Sequence, residues 1–169
     1  MLGGGVGTLG EEEFVATFGG LFEHSPWVAR DAWRRRPFAD EGELKEAFEV
    51  ALREASSEAQ LALIRAHPEL AGREAAEGEL TAESAREQAS AGLDRLSRAD
   101  FEALQRLNAA YRERFGFPLL VCVREHTVGS ILAWGAARLE HTREQEIEIA
   151  IGEIAKIAAL RLDDLLEGS

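Results

Sequence analysis

Pro118-Leu119-Leu120-Val121-Cys122-Val123 is the stretch whose reading decides the fold class. Taken alone, a short apolar run with β-branched residues reads as a buried strand. A strand needs a partner for its peptide groups, and no second run of this kind occurs in the chain. The segment therefore reads as an extended buried connector over about 118–123, or as the irregular start of a helix. With it set aside, helix signals dominate. The expectation is an all-α fold: a single-domain bundle of about seven to eight helices over residues 11–169, behind a flexible glycine-rich tail at 1–10.

Outward from the connector, the helices announce themselves by period and by caps. Phe14, Val15, Phe18, Leu21 and Phe22 share one face of a helix expected over Glu11 to Phe22. Ser25-Pro26 reads as an N-cap and first-turn proline opening a helix to Arg36, closed by Pro37. Asp40 caps a helix that buries Leu44, Ala47, Phe48, Ala51 and Leu52. Ser57 is expected to cap the next, which holds Leu61 and Ile64 and must stop before Pro68. Thr81 opens a helix to about Gly92. Ser97 to Asp100 resembles a capping box for a helix ending near Phe115, with Gly116 as its C′ residue. A further helix lies between His126 and His141. Thr142 and Gln145 form a second capping box, for a final helix running to about Leu166.

Composition narrows the function. A chain of 169 residues with 46% hydrophobic and 30% charged residues is an ordinary globular one, long enough to enclose a pocket. With 19 Lys and Arg against 31 Asp and Glu, the net charge is −12, which disfavours nucleic acid and anionic lipid as partners. The one cysteine, Cys122, excludes an internal disulfide and suits a reducing compartment. The N-terminal residues lack the basic start and apolar run of a signal peptide. The closing Leu-Leu-Glu-Gly-Ser is not the peroxisomal address, and no stretch reaches the ~18 apolar residues of a membrane helix. A cytoplasmic protein is expected. Gly5-x-Gly7-x-x-Gly10 matches a dinucleotide fingerprint in letters only, since no strand has room to precede it.

Three sites break the plain helical pattern. Arg161 falls on the stripe Ile147, Ala150, Ile151, Ile154, Ile157, Ala158, Leu165, where an apolar side chain is wanted. It either snorkels, makes a structural ion pair, or holds an anion, since a guanidinium cannot discard its charge. His67 stands where Pro68 stops a helix. The negative end of the helix dipole favours its charged form, so it is either a C-capping residue or an acid–base group near neutral pH. Ser84, Glu87 and Gln88, at i, i+3 and i+4, form one polar patch among alanines, either a solvated face or a ligand surface. His24, His126 and His141 lack partners at metal-ligand spacing, and neither a His-Glu-x-x-His motif, a nucleophile elbow nor a Walker loop occurs, so no metal is expected. Cys122 reads as a small core residue.

These sites coincide with a broader pattern. Phe22-Glu23-His24-Ser25-Pro26-Trp27-Val28-Ala29, Gln60 to Gly72 around Arg65-Ala66-His67-Pro68-Glu69-Leu70, and Ser84-x-x-Glu87-Gln88-x-x-Ala91-Gly92-Leu93-Asp94 recur in order. So do Leu107-Asn108-x-x-Tyr111, Phe115-Gly116-Phe117-Pro118 and Glu153-Ile154-x-x-Ile157-Ala158-x-Leu160-Arg161-Leu162. From about Phe14 to Leu166 the chain resembles the 2-oxo-4-hydroxy-4-carboxy-5-ureidoimidazoline decarboxylases. The resemblance implies an all-α lyase acting in the last step of urate conversion to (S)-allantoin, with no metal or organic cofactor and commonly a homodimer. It places the catalytic groups on His67, Glu87 and Arg161. Contacts to a small anionic substrate fall on Pro68, on Ser84, Ala85, Arg86, Glu87 and Gln88, and on Leu119, Leu120, Val121, Cys122 and Val123. The family often has Phe where Leu119 stands and a small residue where Val123 stands, a change of pocket shape. The competing readings are a non-catalytic helical interaction domain, with a solvent-paired Arg161, and a related ureide or purine-ring hydrolase using an activated water.

Overall fold

Most of the longer helices begin where a side chain can take up an orphaned amide. In the computed structural model, which describes residues 8–167, Asp40 accepts from the Glu43 amide at 2.9 Å and opens α3 (Glu41–Glu54). Thr81 accepts from Ser84 at 3.2 Å ahead of α6 (Ala82–Ser90), and Ser97 from Asp100 at 3.1 Å ahead of α7 (Arg98–Phe115). Thr142 and Gln145 exchange both bonds of a capping box, at 2.9 and 3.1 Å, where α9 (Arg143–Glu167) starts. Thr127 and Ser130 do the same for α8 (Val128–Arg138). Gly116 closes α7 at φ +81°, the left-handed conformation that a Cβ disfavours.

The remaining helices are α1 (Glu11–Phe18), α2 (Trp27–Trp33), α4 (Ser57–Ala66) and the single turn α5 (Arg73–Ala76). The all-α expectation holds: the described residues contain helices and no strand. Several boundaries differ from the sequence reading. α1 ends at Phe18 and tightens into a 3₁₀ turn at Gly19–Leu21, where paired glycines weaken an α-helix. Ser25 is not the cap of α2. Pro26 takes that position with helical angles, and the Ser25 hydroxyl donates to the Glu23 carbonyl at 2.8 Å. α2 stops at Trp33, short of Arg36. The cap of α4 is Ser56, one residue before Ser57, because its hydroxyl accepts from Ala59 at 3.1 Å. The turn α5 arises in a stretch with no clear helical period.

The chain divides into two compact units: residues up to Leu63 together with those from Ala155, and Ile64–Ile154. In the first, α2 packs on α1 and α3. Its core is aromatic, with Phe14–Phe18, Phe14–Phe38 and Phe22–Phe48 ring centroids 4.8, 5.9 and 5.5 Å apart. In the second, α7 packs on α8, and Tyr111, Phe115 and Phe117 form a ring cluster with centroids 4.6 to 6.0 Å apart. Gly135 of α8 lets this packing close: a Cβ there would lie 2.5 Å from Leu107 and 3.1 Å from Leu119.

Pro118 to Cys122 takes no regular secondary structure and Val123–Glu125 forms a 3₁₀ turn, with Leu119 through Val123 all buried. This is the buried connector read from the sequence. The glycine motif near the N-terminus lies outside the described residues except for Gly10, which stands at the N-cap of α1. The Leu9 carbonyl accepts from the Trp33 indole at 3.1 Å.

Gly116→Ala is expected to lower the unfolding free energy by about 1 kcal/mol, the cost of a Cβ at a left-handed position. Urea titration with an unchanged m-value checks it.

Candidate active site

α4 ends at Ala66 because Pro68 can neither donate to the helix nor leave its predecessor helical. His67 therefore sits just past the C-terminus, its amide reaching the Ile64 carbonyl at 3.2 Å and its side chain 7% exposed. The chain then turns tightly. The Gly72 amide donates to the Glu69 carbonyl at 3.3 Å, and a Cβ on Gly72 would lie 2.6 Å from that of Glu69. Ala71 adopts φ +49°, which a residue with a Cβ holds only when its surroundings impose it.

Those surroundings begin with α6. Gln88 accepts from the Ala71 amide at 3.0 Å and donates to the Glu69 carbonyl at 3.5 Å. The polar patch of α6 is thus not a solvated face: Ser84 and Gln88 are buried and Glu87 half-buried, while Ala85 and Arg86 are exposed. The same helix packs on the 3₁₀ turn Val123–Glu125 that ends the connector. Helix α6 therefore joins the His67 loop to the 119–123 segment, and these predicted site residues all belong to the unit Ile64–Ile154.

The connector takes no regular secondary structure inside a helical protein, so its peptide groups need partners from side chains. Arg138 donates to the Leu120 carbonyl at 2.6 Å. Glu153 accepts from the Cys122 amide at 3.0 Å. Arg138 is completely buried and meets Glu146, also completely buried, at 2.7 Å. Tyr111 donates to Glu146 at 2.5 Å, and His141 reaches the other Glu146 oxygen at 2.7 Å from a half-exposed position. Burial pushes the Tyr111 phenol far above its ordinary range. The Glu146 hydrogen bond adds to the rise and the Arg138 charge opposes it.

Arg161, in the other unit, is 6% exposed. It donates to Glu23 at 2.9 Å and to the Leu21 carbonyl at 3.2 Å. Of the readings left open for Arg161, snorkelling is excluded by this burial and an ion pair is present. Leu165, read as part of the same buried stripe, is 39% exposed.

Sequence reasoning gave no role to Glu23, Arg138, Glu146 or Glu153. A signal for Arg138 existed. Ile131, Gly135 and Arg138 are spaced i, i+4 and i+7 on the buried face of α8, the same kind of anomaly that singled out Arg161. His126, by contrast, stacks on Trp134 at 5.3 Å in an exposed position. Among the described residues no three His, Cys, Asp or Glu side chains gather as a metal site, and no helix is long and apolar enough to cross a membrane.

Among solved structures, the fold resembles a helical enzyme, an (S)-allantoin synthase: TM-score 0.74 and 28% identity, covering 95% of this chain and 52% of that one. Two archaeal proteins described as 2-oxo-4-hydroxy-4-carboxy-5-ureidoimidazoline decarboxylases are similar over nearly the whole chain. The one from Haloferax volcanii is 46% identical over 93% of this chain and 91% of its own length. The one from Halalkalicoccus jeotgali is 44% identical over 92% and 86%. The OHCU decarboxylase family model matches residues 7–163, and the chain belongs to that family.

Two measurements test this description. Tyr111 is the chain's one tyrosine, so phenolate absorbance reports on it alone. Unfolded, it loses its proton around the ordinary value of 10.0; folded, it holds the proton to higher pH. The stability tied to this proton is complete below the unfolded value and falls as pH rises above it. Phenolate absorbance in the native protein is therefore expected to appear only with unfolding, and Tyr111→Phe to flatten the alkaline fall. Separately, Arg161→Met is expected to cost about 3–5 kcal/mol by stranding buried Glu23, and adding Glu23→Gln to recover much of it, as denaturant melts can show.

Proposed function

We propose that this chain decarboxylates 2-oxo-4-hydroxy-4-carboxy-5-ureidoimidazoline to (S)-allantoin, without a cofactor, using His67, Glu87 and Arg161. The observation that carries the reading is a buried histidine held just beyond a proline-stopped helix, in a chain that belongs to a decarboxylase family.

The substrate carries its own electron sink. Breaking the bond to the carboxylate releases CO₂ and sends the electron pair into the adjacent ring C=N. The hydroxyl on the reacting carbon gives up its proton as it becomes a carbonyl, while the ring nitrogen that received the pair and the ring carbon bearing the ureido group each take one up. The reaction is a loss of CO₂ with net uptake of one proton, and needs no external acceptor for the electron pair. The protein's task is to hold the anion, keep the carboxylate out of the ring plane and deliver the proton to one face.

His67 is the proton-transfer group, serving the hydroxyl or the ring carbon. Arg161 offers a planar fork to an anionic oxygen or to the ureido carbonyl, and its pairing with Glu23 orients that fork. Glu87 accepts from a ring or ureido N–H. Pro68, the segment Ser84 to Gln88, and main-chain groups of Leu119 to Val123 make the remaining substrate contacts. The enzyme acts as a homodimer in a reducing cytosol. The single buried cysteine supports that compartment.

A non-catalytic interaction domain called for a solvent-paired Arg161, and the buried pair with Glu23 argues against it. Generating the substrate in situ and following the circular dichroism of the allantoin formed tests the activity, because spontaneous decay yields no handed product. His67→Asn is expected to lower turnover ~10²–10⁴-fold with far-ultraviolet dichroism unchanged. A wild-type rate in that variant overturns the assignment. Ammonia or ring opening in place of CO₂ points to a hydrolase.

A further inference from the structure

Helix α7 carries a polar row that the proposed reaction does not use. Gln105, Asn108 and Arg112 are spaced i, i+3 and i+7, so they share one face. Each meets one residue of the loop after His67-Pro68, and the order is reversed. Arg112 pairs with the Glu69 carboxylate. Asn108 donates to the Leu70 carbonyl at 2.9 Å. Gln105 donates to the Ala71 carbonyl at 2.9 Å. The row extends to Gly116, whose carbonyl accepts from Arg65 at 3.4 Å. His67 thus lies between two fastenings to the same helix, at Arg65 and at Glu69.

Two features indicate that this row sets position and does not merely hold the fold together. Ala71 is gripped in a left-handed conformation by Gln105 on its carbonyl and Gln88 on its amide. An alanine leaves that conformation when released. Asn108, 1% exposed, donates to Leu70 while its own side-chain oxygen is buried with no hydrogen-bond partner. The donation to Leu70 is made from a fully buried position, so the loop is tied there to a side chain with little freedom to move. Ala71 and the Leu70 carbonyl that Asn108 holds both lie in the loop attached to the histidine.

We propose that α7 is a template for the catalytic histidine and that Gln105 is a positioning residue for proton transfer. It acts by holding Ala71 and, through the short loop, the imidazole of His67. The proposal rests on His67 being the proton-transfer group. Gln105 is half-buried, so the chain tolerates its replacement.

The test uses the full chain and steady-state kinetics on substrate generated in situ. Gln105→Leu is expected to lower kcat roughly 10- to 100-fold, the range for a displaced catalytic group, with KM and melting temperature near wild type. Gln105→Lys, which still donates to the Ala71 carbonyl, recovers most of kcat. Gln105→Glu, which places a carboxylate against that carbonyl, does not. Ala71→Gly adopts the left-handed conformation without being gripped, so in the Gln105→Leu background it is expected to restore part of the lost kcat. The proposal is overturned if the three Gln105 variants share one kcat, if kcat falls only as melting temperature falls, or if adding Ala71→Gly to Gln105→Leu restores none of it. Failure of this series while His67→Asn stays inactive removes the template alone. A fully active His67→Asn removes the functional reading beneath it.

Discussion

Irregular backbone buried in a helical protein is possible only when side chains supply the hydrogen bonds that helix geometry withholds. This chain meets that demand twice in the unit Ile64–Ile154. Arg138 and Glu153 hold the carbonyl of Leu120 and the amide of Cys122. Gln88, Gln105 and Asn108 hold the carbonyl and amide groups from Glu69 to Ala71. Remove these partners and either segment must pull away from the core or leave peptide groups dry and unpaired. The site depends on both, because one carries the proposed proton-transfer histidine and the other the proposed ring contacts.

Charge distribution follows the same logic. A net charge of −12 spread over the surface repels anions at long range, yet the proposed substrate is an anion. Capture must therefore rest on individual guanidiniums. Arg161 is shielded from water, but its charge is met by Glu23 at 2.9 Å, so the pair can offer oriented N–H donors and little net field. The buried pair costs desolvation, and under the proposed function a fixed orientation of the guanidinium fork is the return.

Much of this was legible in the sequence. The caps at Asp40, Thr81, Ser97 and Thr142 and the glycine at 116 are local signals, and local rules located them. Rejecting a strand at 118–123 was also sound, since a strand without a partner fails on hydrogen bonds alone. Caps at Ser25 and Ser57 were misplaced because neighbouring serines and a proline offered equivalent chemistry, and packing chose between them. Glu23 and Glu153 were not assigned because their partners are distant in sequence: 138 residues separate Glu23 from Arg161 and 31 separate Glu153 from Cys122. Periodicity shows that a charge is buried. It does not show what neutralises it.

Arg138 and Glu153 grip main-chain atoms of the connector and leave its side chains out of the grip. The route of the polypeptide is therefore decoupled from the shape of the surface it presents. Leu119 and Val123 are both buried, and Leu119 lies against Gly135 of α8, so a change in either side chain repacks the core beside the connector while the peptide atoms stay anchored. A scaffold of this kind lets the packing beside the connector be altered by single replacements, with no rerouting of the chain.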